Sequence, residues 1–135
     1  LLPRPVVHTM PGADVGILAF GSSDGAVEEA RATLRKDKGV PTDYLRLRAL
    51  PIDKEVRAFI DEHRVVYVVE QNRDAQCASI LKLECPERTL AIESVLHYSG
   101  LPIDAQSVVE GVLAGEARHT SRAARAHHGD HAASA

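Results

Sequence analysis

Two hydrophobic periodicities alternate along the chain. Val15-Gly16-Ile17-Leu18-Ala19-Phe20 is an unbroken apolar run closed by Gly21-Ser22-Ser23-Asp24-Gly25, which predicts a strand buried on both faces and then a turn. Ala26, Val27, Ala30 and Leu34 follow at helical spacing, with Glu28, Glu29, Arg31 and Arg35 between them. They predict a helix capped by Ser23 or Asp24 and ended near Gly39. Asp43-Tyr44-Leu45-Arg46-Leu47-Arg48 alternates with a period near two, the pattern of a half-buried, peripheral strand. Pro51-Ile52-Asp53 opens a helix whose apolar stripe is Val56, Phe59 and Ile60. Val65-Val66-Tyr67-Val68-Val69 consists of β-formers without a break and is expected at the centre of a sheet. Cys77, Ile80 and Leu81 mark a third helix, and Thr89–Glu93 a fourth strand. Leu101-Pro102-Ile103-Asp104 introduces a last helix lined by Val108, Val109, Val112 and Leu113.

Strands that alternate with helices predict right-handed βαβ crossovers and a mainly parallel sheet covered on both faces, an α/β class fold. Length agrees. A chain of 135 residues buries about 68% of its unfolded surface, enough for one core without a disulfide or metal. Composition divides it further. Residues 1–11 read as a linker or an extra edge strand, 12–114 as the α/β domain, and 115–135 as an unordered tail. That tail is rich in Ala, Arg and His, holds His119, His127, His128 and His131, and has almost no large apolar residue. The chain opens Leu1-Leu2-Pro3-Arg4-Pro5 without a methionine, so it is expected to be a piece of something longer.

Charge and cysteine count narrow the function classes. A formal charge of −3 and the lack of a long basic run argue against a nucleic-acid surface. No apolar stretch is long enough for a membrane span and no signal sequence is evident, which gives a cytoplasmic reading with no membrane partner. Cys77 and Cys85, eight residues apart, match neither a CxxC redox pair nor half of a zinc site. His63 and His97 lack partners at ligand spacing, and no nucleophile elbow or HExxH pair is present. No catalytic residue and no metal site is therefore assigned.

Two loops carry the remaining chemistry, because ligands and partners collect at the carboxyl ends of strands in open α/β sheets. Gly21, Ser22, Ser23, Asp24 and Gly25 fit either a capped tight turn or a backbone cradle for phosphate, although neither a GxGxxG nor a P-loop lysine is present. Glu70, Gln71, Asn72 and Gln76 follow the most apolar strand and fit either a buried hydrogen-bonding network or an interdomain or ligand contact. Arg46 and Arg48 share one face of their strand, as a solvated edge or an anion contact.

Read in order, Val15–Ser23, Gly25–Ala30, Leu45–Pro51, the segment Val68-Val69-Glu70-Gln71-Asn72 with Gln76, and Gly100–Asp104 with Val108–Val112 resemble a known domain. It is the carboxy-terminal domain of the alpha subunit of 2-oxoacid:ferredoxin oxidoreductases, in its 2-oxoglutarate branch. The likeness spans about residues 12–114; Ala75 stands where glycine is common and Ser23 where threonine is. The resemblance implies a transketolase carboxy-terminal-like fold, a three-layer α/β/α sandwich on a mixed, mostly parallel sheet of four to five strands. Pro5–His8 is a candidate for its antiparallel strand. It also implies a holoenzyme that converts a 2-oxoacid and coenzyme A to acyl-coenzyme A, carbon dioxide and reduced ferredoxin. Thiamine diphosphate and an iron–sulfur cluster would lie in the remaining alpha-subunit domains and the beta subunit, with no cofactor in this chain and the isolated chain inactive. Two rival readings stay open: a free-standing domain binding a nucleotide or phosphate at Gly21–Gly25, and the same fold from another thiamine diphosphate enzyme.

Overall fold

The computed structural model describes residues 4–48, 52–71, 75–97 and 102–133. Five strands form one sheet: β1 (Val6–His8), β2 (Val15–Phe20), β3 (Thr42–Leu47), β4 (Val65–Glu70) and β5 (Ile92–Leu96), in the order β1-β3-β2-β4-β5. All neighbours are parallel except β1 against β3, which pairs Val7 with Leu45 antiparallel. The α/β class and the mixed, mostly parallel sheet are those read from the sequence.

Among the described residues, α1 (Asp24–Lys38), α2 (Lys54–Glu62) and α3 (Gln76–Glu84) connect successive strands, and α4 (Ala105–Ala133) follows the last. From β2 the chain steps outward to β3 through α1, then returns past β2 to β4 and β5 through α2 and α3. Crossovers running in opposite directions with one handedness must use opposite faces of the sheet. Accordingly α1 and α4 cover one face and α2 and α3 the other. The period of two inside the apolar strands decides which side chain meets which layer. Ile17, Ala19, Tyr67 and Val69 pack with Val27, Ala30 and Leu34 of α1 and Val108 and Val112 of α4. Leu18, Leu45, Val66 and Val68 pack with Val56, Phe59 and Ile60 of α2 and Cys77, Ala78 and Leu81 of α3.

Local signals set the helix boundaries. Asp53 accepts from the backbone N–H of Glu55 and Val56 to start α2. Gly39 ends α1 at φ 68°, a left-handed conformation in which its amide returns to the last turn. Arg88 closes α2 by donating to the carbonyls of Ile60 and His63.

Several expectations change. The strand at 42–47 is not peripheral, because β1 lies outside it. Arg31, only 4% exposed, fixes that arrangement by donating to Thr42 O at 2.8 Å, Thr42 Oγ1 at 3.2 Å and His8 O at 3.3 Å. Its charge is met by Glu28 at 2.8 Å. Arg46 therefore does not guard a solvated edge. The fourth strand starts later than its β-formers suggest, since Pro86–Ala91 turns as a 3₁₀ helix, begun by proline at its first position and held by Thr89 Oγ1 donating to Pro86 O. Ile80 faces outward, and the buried side of α3 is Cys77, Ala78 and Leu81. Pro51 and Leu101 lie outside the described residues.

α4 runs from Ala105 to Ala133. It docks through named contacts. Glu116 accepts from the Tyr67 hydroxyl at 2.7 Å and from Arg64 at 2.6 Å, while Arg118 and His119 pair with Glu93 at 3.4 Å and 3.0 Å. Close approach is possible because two glycines one turn apart face the sheet. A Cβ on Gly111 would lie 2.7 Å from Val95 Cγ1, and one on Gly115 2.6 Å from the Tyr67 hydroxyl and 2.8 Å from its Cζ. Both gaps are inside van der Waals contact. Gly115→Ala, which an isolated helix would favour by about 1 kcal/mol, should therefore lower stability by about 1–3 kcal/mol through overpacking. Urea unfolding followed by circular dichroism measures it, and a gain in stability would contradict this packing.

Candidate functional site

The switch in strand order lies between β2 and β4, since β3 departs to one side of β2 and β4 to the other. At their carboxyl ends the backbones diverge and leave a crevice. It has a volume of about 230 Å³ and is lined by Phe20, Ser22, Ser23, Val69, Glu70 and Gln71. The two loops singled out in the sequence thus meet in space. A hydrogen bond joins them, Gln71 Nε2 donating to Ser23 Oγ at 3.2 Å.

Each loop is built by its own local physics. Gly21–Ser23 forms a 3₁₀ turn that runs directly into α1, with Asp24 as the first helical residue. Asp24 accepts from the Tyr44 hydroxyl at 3.0 Å and stands 3.8 Å from Arg46 Nη1. Burial, then the Asp24 hydrogen bond, push the Tyr44 phenol well above its ordinary pKa, so the hydroxyl remains a donor. Arg46 lies flat against Gly21, where a Cβ would come within 3.4 Å of its Nε. A carboxylate in the first turn opposes an incoming phosphate, and Ser23 at the N-cap position makes no side-chain hydrogen bond to the helix amides, so α1 is entered through the 3₁₀ turn rather than through the side-chain cap expected of Ser23 or Asp24.

Glu70 ends β4 and is only 5% exposed. Its carboxylate accepts from the backbone N–H of Cys77 at 2.7 Å and of Ala78 at 3.1 Å. These are two of the donors that the start of α3 leaves without helical partners. A buried negative charge is thereby matched to the positive end of a helix. Glu70 thus lies in a buried hydrogen-bonding network. Burial, with Glu70 nearby, raises the Cys77 thiol to about 12, so it stays protonated and unreactive at neutral pH.

Gln76 begins α3, Ser22 and Gln71 are exposed, and Asn72 lies outside the described residues. Ala75 precedes α3 at φ 49° and ψ 46°, left-handed geometry that alanine tolerates poorly. His63 sits at the opposite, amino ends of the strands, buried between Phe59 O at 2.6 Å and Asp43 Oδ2 at 2.8 Å. It serves packing. Sequence reasoning missed Phe20 and Val69 as lining residues; their positions as last or next-to-last residues of strands flanking the switch were the available signal.

Cofactor fit follows from these side chains. Among the described residues no three His, Cys, Asp or Glu converge as metal ligands. Cys77 and Cys85 are both buried, and burial raises both thiols. They do not suit an iron–sulfur cluster. The crevice lining includes no basic side chain, so it does not suit a diphosphate. No helix among the described residues is long and apolar enough to cross a membrane.

This arrangement, a three-layer sandwich with one antiparallel edge strand, is a transketolase carboxy-terminal-like α/β module. The chain is similar over 84% of its length to 2-oxoglutarate:ferredoxin oxidoreductase from Magnetococcus marinus, a structure with 2-oxoglutarate, coenzyme A and succinyl-CoA bound, at 26% identity and a TM-score of 0.65. The match takes up 20% of that chain. A split-gene transketolase in an inactive beta4 tetramer shares the fold at TM-score 0.68 and 22% identity, over 83% of this chain and 41% of that one. No family model matches the sequence.

Substitutions at two positions test the site's construction. Glu70→Ala should cost about 1–3 kcal/mol by leaving two buried N–H groups without acceptors, with Glu70→Gln intermediate; equal stabilities by chemical denaturation would remove Glu70 as the cap. Ala75→Gly should raise stability by about 1 kcal/mol, since it relieves the left-handed backbone. A lower melting temperature would show that the strain is absent.

Proposed function

We propose that the chain is the carboxy-terminal domain of the alpha subunit of a 2-oxoacid:ferredoxin oxidoreductase, of the 2-oxoglutarate type, and that it serves assembly rather than chemistry. The observation that carries this reading is the likeness to the 2-oxoglutarate:ferredoxin oxidoreductase, which combines identity and fold over most of this chain but takes up a fifth of that one. The holoenzyme would convert a 2-oxoacid and coenzyme A to acyl-coenzyme A, carbon dioxide and reduced ferredoxin. Its thiamine diphosphate and iron–sulfur cluster would be held by the other alpha-subunit domains and the beta subunit. In this cytoplasmic assembly the crevice faces a neighbouring domain. Its rim residues Ser22 and Gln71 are exposed, whereas Glu70 beneath is committed to capping α3.

Affinity purification of the tagged chain from the cells that make it tests the proposal. Subunits of a thiamine-dependent oxidoreductase should be retained, identified by mass spectrometry, and the retained complex should reduce a viologen dye only with a 2-oxoacid and coenzyme A present. A Ser22→Arg/Gln71→Arg variant, which fills the crevice from its rim, should keep its melting temperature and lose at least half of that activity. A chain that purifies alone, without such activity, overturns the assignment.

A further inference from the structure

The sheet's two edges are finished differently. On one side β1 is short and is tied down through the buried Arg31. On the other, β5 pairs only with β4 among the described residues, and the elements beside it carry unusual surface chemistry. Ile80 and Leu83, three residues apart on α3 and so on one helix face, are 36% and 81% exposed. Leu90, in the 3₁₀ turn that packs against both α3 and β5, is 71% exposed. Among the described residues, three of the five large apolar side chains that stand out in solvent thus fall within one stretch of 11 residues, counted from Ile80 to Leu90. Lys82 and Glu87 belong to the same stretch. Apolar surface with a polar rim, next to an unpaired strand edge, is the make-up of a protein contact.

The crevice differs in kind. Its polar groups are largely engaged within the chain, through Gln71 to Ser23 and Glu70 to α3. Its one exposed large apolar side chain is Phe20, 36% exposed, against three on the α3 and 3₁₀ surface. We infer that the face formed by Ile80, Leu83 and Leu90 is the principal docking surface of this domain, and that its occupant is an apolar face of a neighbouring domain of the oxidoreductase subunit. This rests on the reading proposed above, and the choice of occupant follows from length. Four-fifths of the chain of the similar oxidoreductase lies outside the matched region, so a domain of this kind has a large polypeptide to pack against. A second copy of the chain would instead cover the face in a free-standing protein.

The test is Leu83→Glu/Leu90→Glu in the tagged full chain, assayed by the same co-purification. Both side chains are mostly in solvent, so the melting temperature should stay within a few degrees. Retention of the oxidoreductase subunits should fall at least tenfold, and further than in the crevice variant. Wild-type retention by a folded double variant overturns this inference while leaving the domain assignment intact. Absence of those subunits from the wild-type purification overturns both. Sedimentation of the purified chain provides the remaining outcome: a wild-type dimer that the double variant converts to monomer would assign the face to a second copy and overturn the occupant named here.

Discussion

A parallel sheet has to be covered on both faces, and in this protein the coverage of one face depends on how closely α4 approaches. Gly111 and Gly115 leave bare backbone where Val95 and Tyr67 press against the helix. With α4 seated, Val108 and Val112 complete the layer that α1 begins, and β4 becomes buried along its whole length. The Tyr67 hydroxyl, which would otherwise be stranded in that layer, reaches Glu116 on the same helix. Glu116 in turn engages Arg64, and Arg64 engages Asp14 just before β2. Packing and polar satisfaction are solved by one helix placement.

The carboxyl edge follows from the same topology. Because β3 and β4 leave β2 in opposite directions, the loops after β2 and β4 splay apart and form a crevice whatever their sequence. Sequence decides what the crevice contains. Here Glu70 is consumed in holding α3, Asp24 in holding Tyr44 and Arg46 near α1, and Gln71 in bridging to Ser23. The loops are stabilised from within.

Most of the architecture was legible because it rests on short-range rules. The apolar runs at 15–20 and 65–69, the Asp53 cap and Gly39 stop are local signals, and the corresponding elements match them within a residue or two. Errors arose where long-range contacts overrode local preference. Thr89–Glu93 has the composition of a strand, but Pro86 and the fit against α3 turn its first half into a 3₁₀ helix. Alternation at 43–48 suggested an edge, yet an antiparallel strand from the amino-terminal segment covers it. After residue 114, α4 is tied back to the sheet by ion pairs to Arg64 and Glu93, residues some 25 to 50 positions away.

By itself the sequence determined the class of fold, the two loops that would gather at one edge, and a resemblance strong enough to suggest a parent enzyme. Those depend on periodicity and turn chemistry, which act over a few residues. Only the tertiary structure decided which role each loop residue has. Glu70 is a cap because the start of α3 comes back to within hydrogen-bonding distance of it, and Ile80 stands outward because Cys77, Ala78 and Leu81 form the side of α3 that meets the sheet. A side chain's role depends on what the chain brings beside it, and that neighbourhood exists only once distant segments have packed.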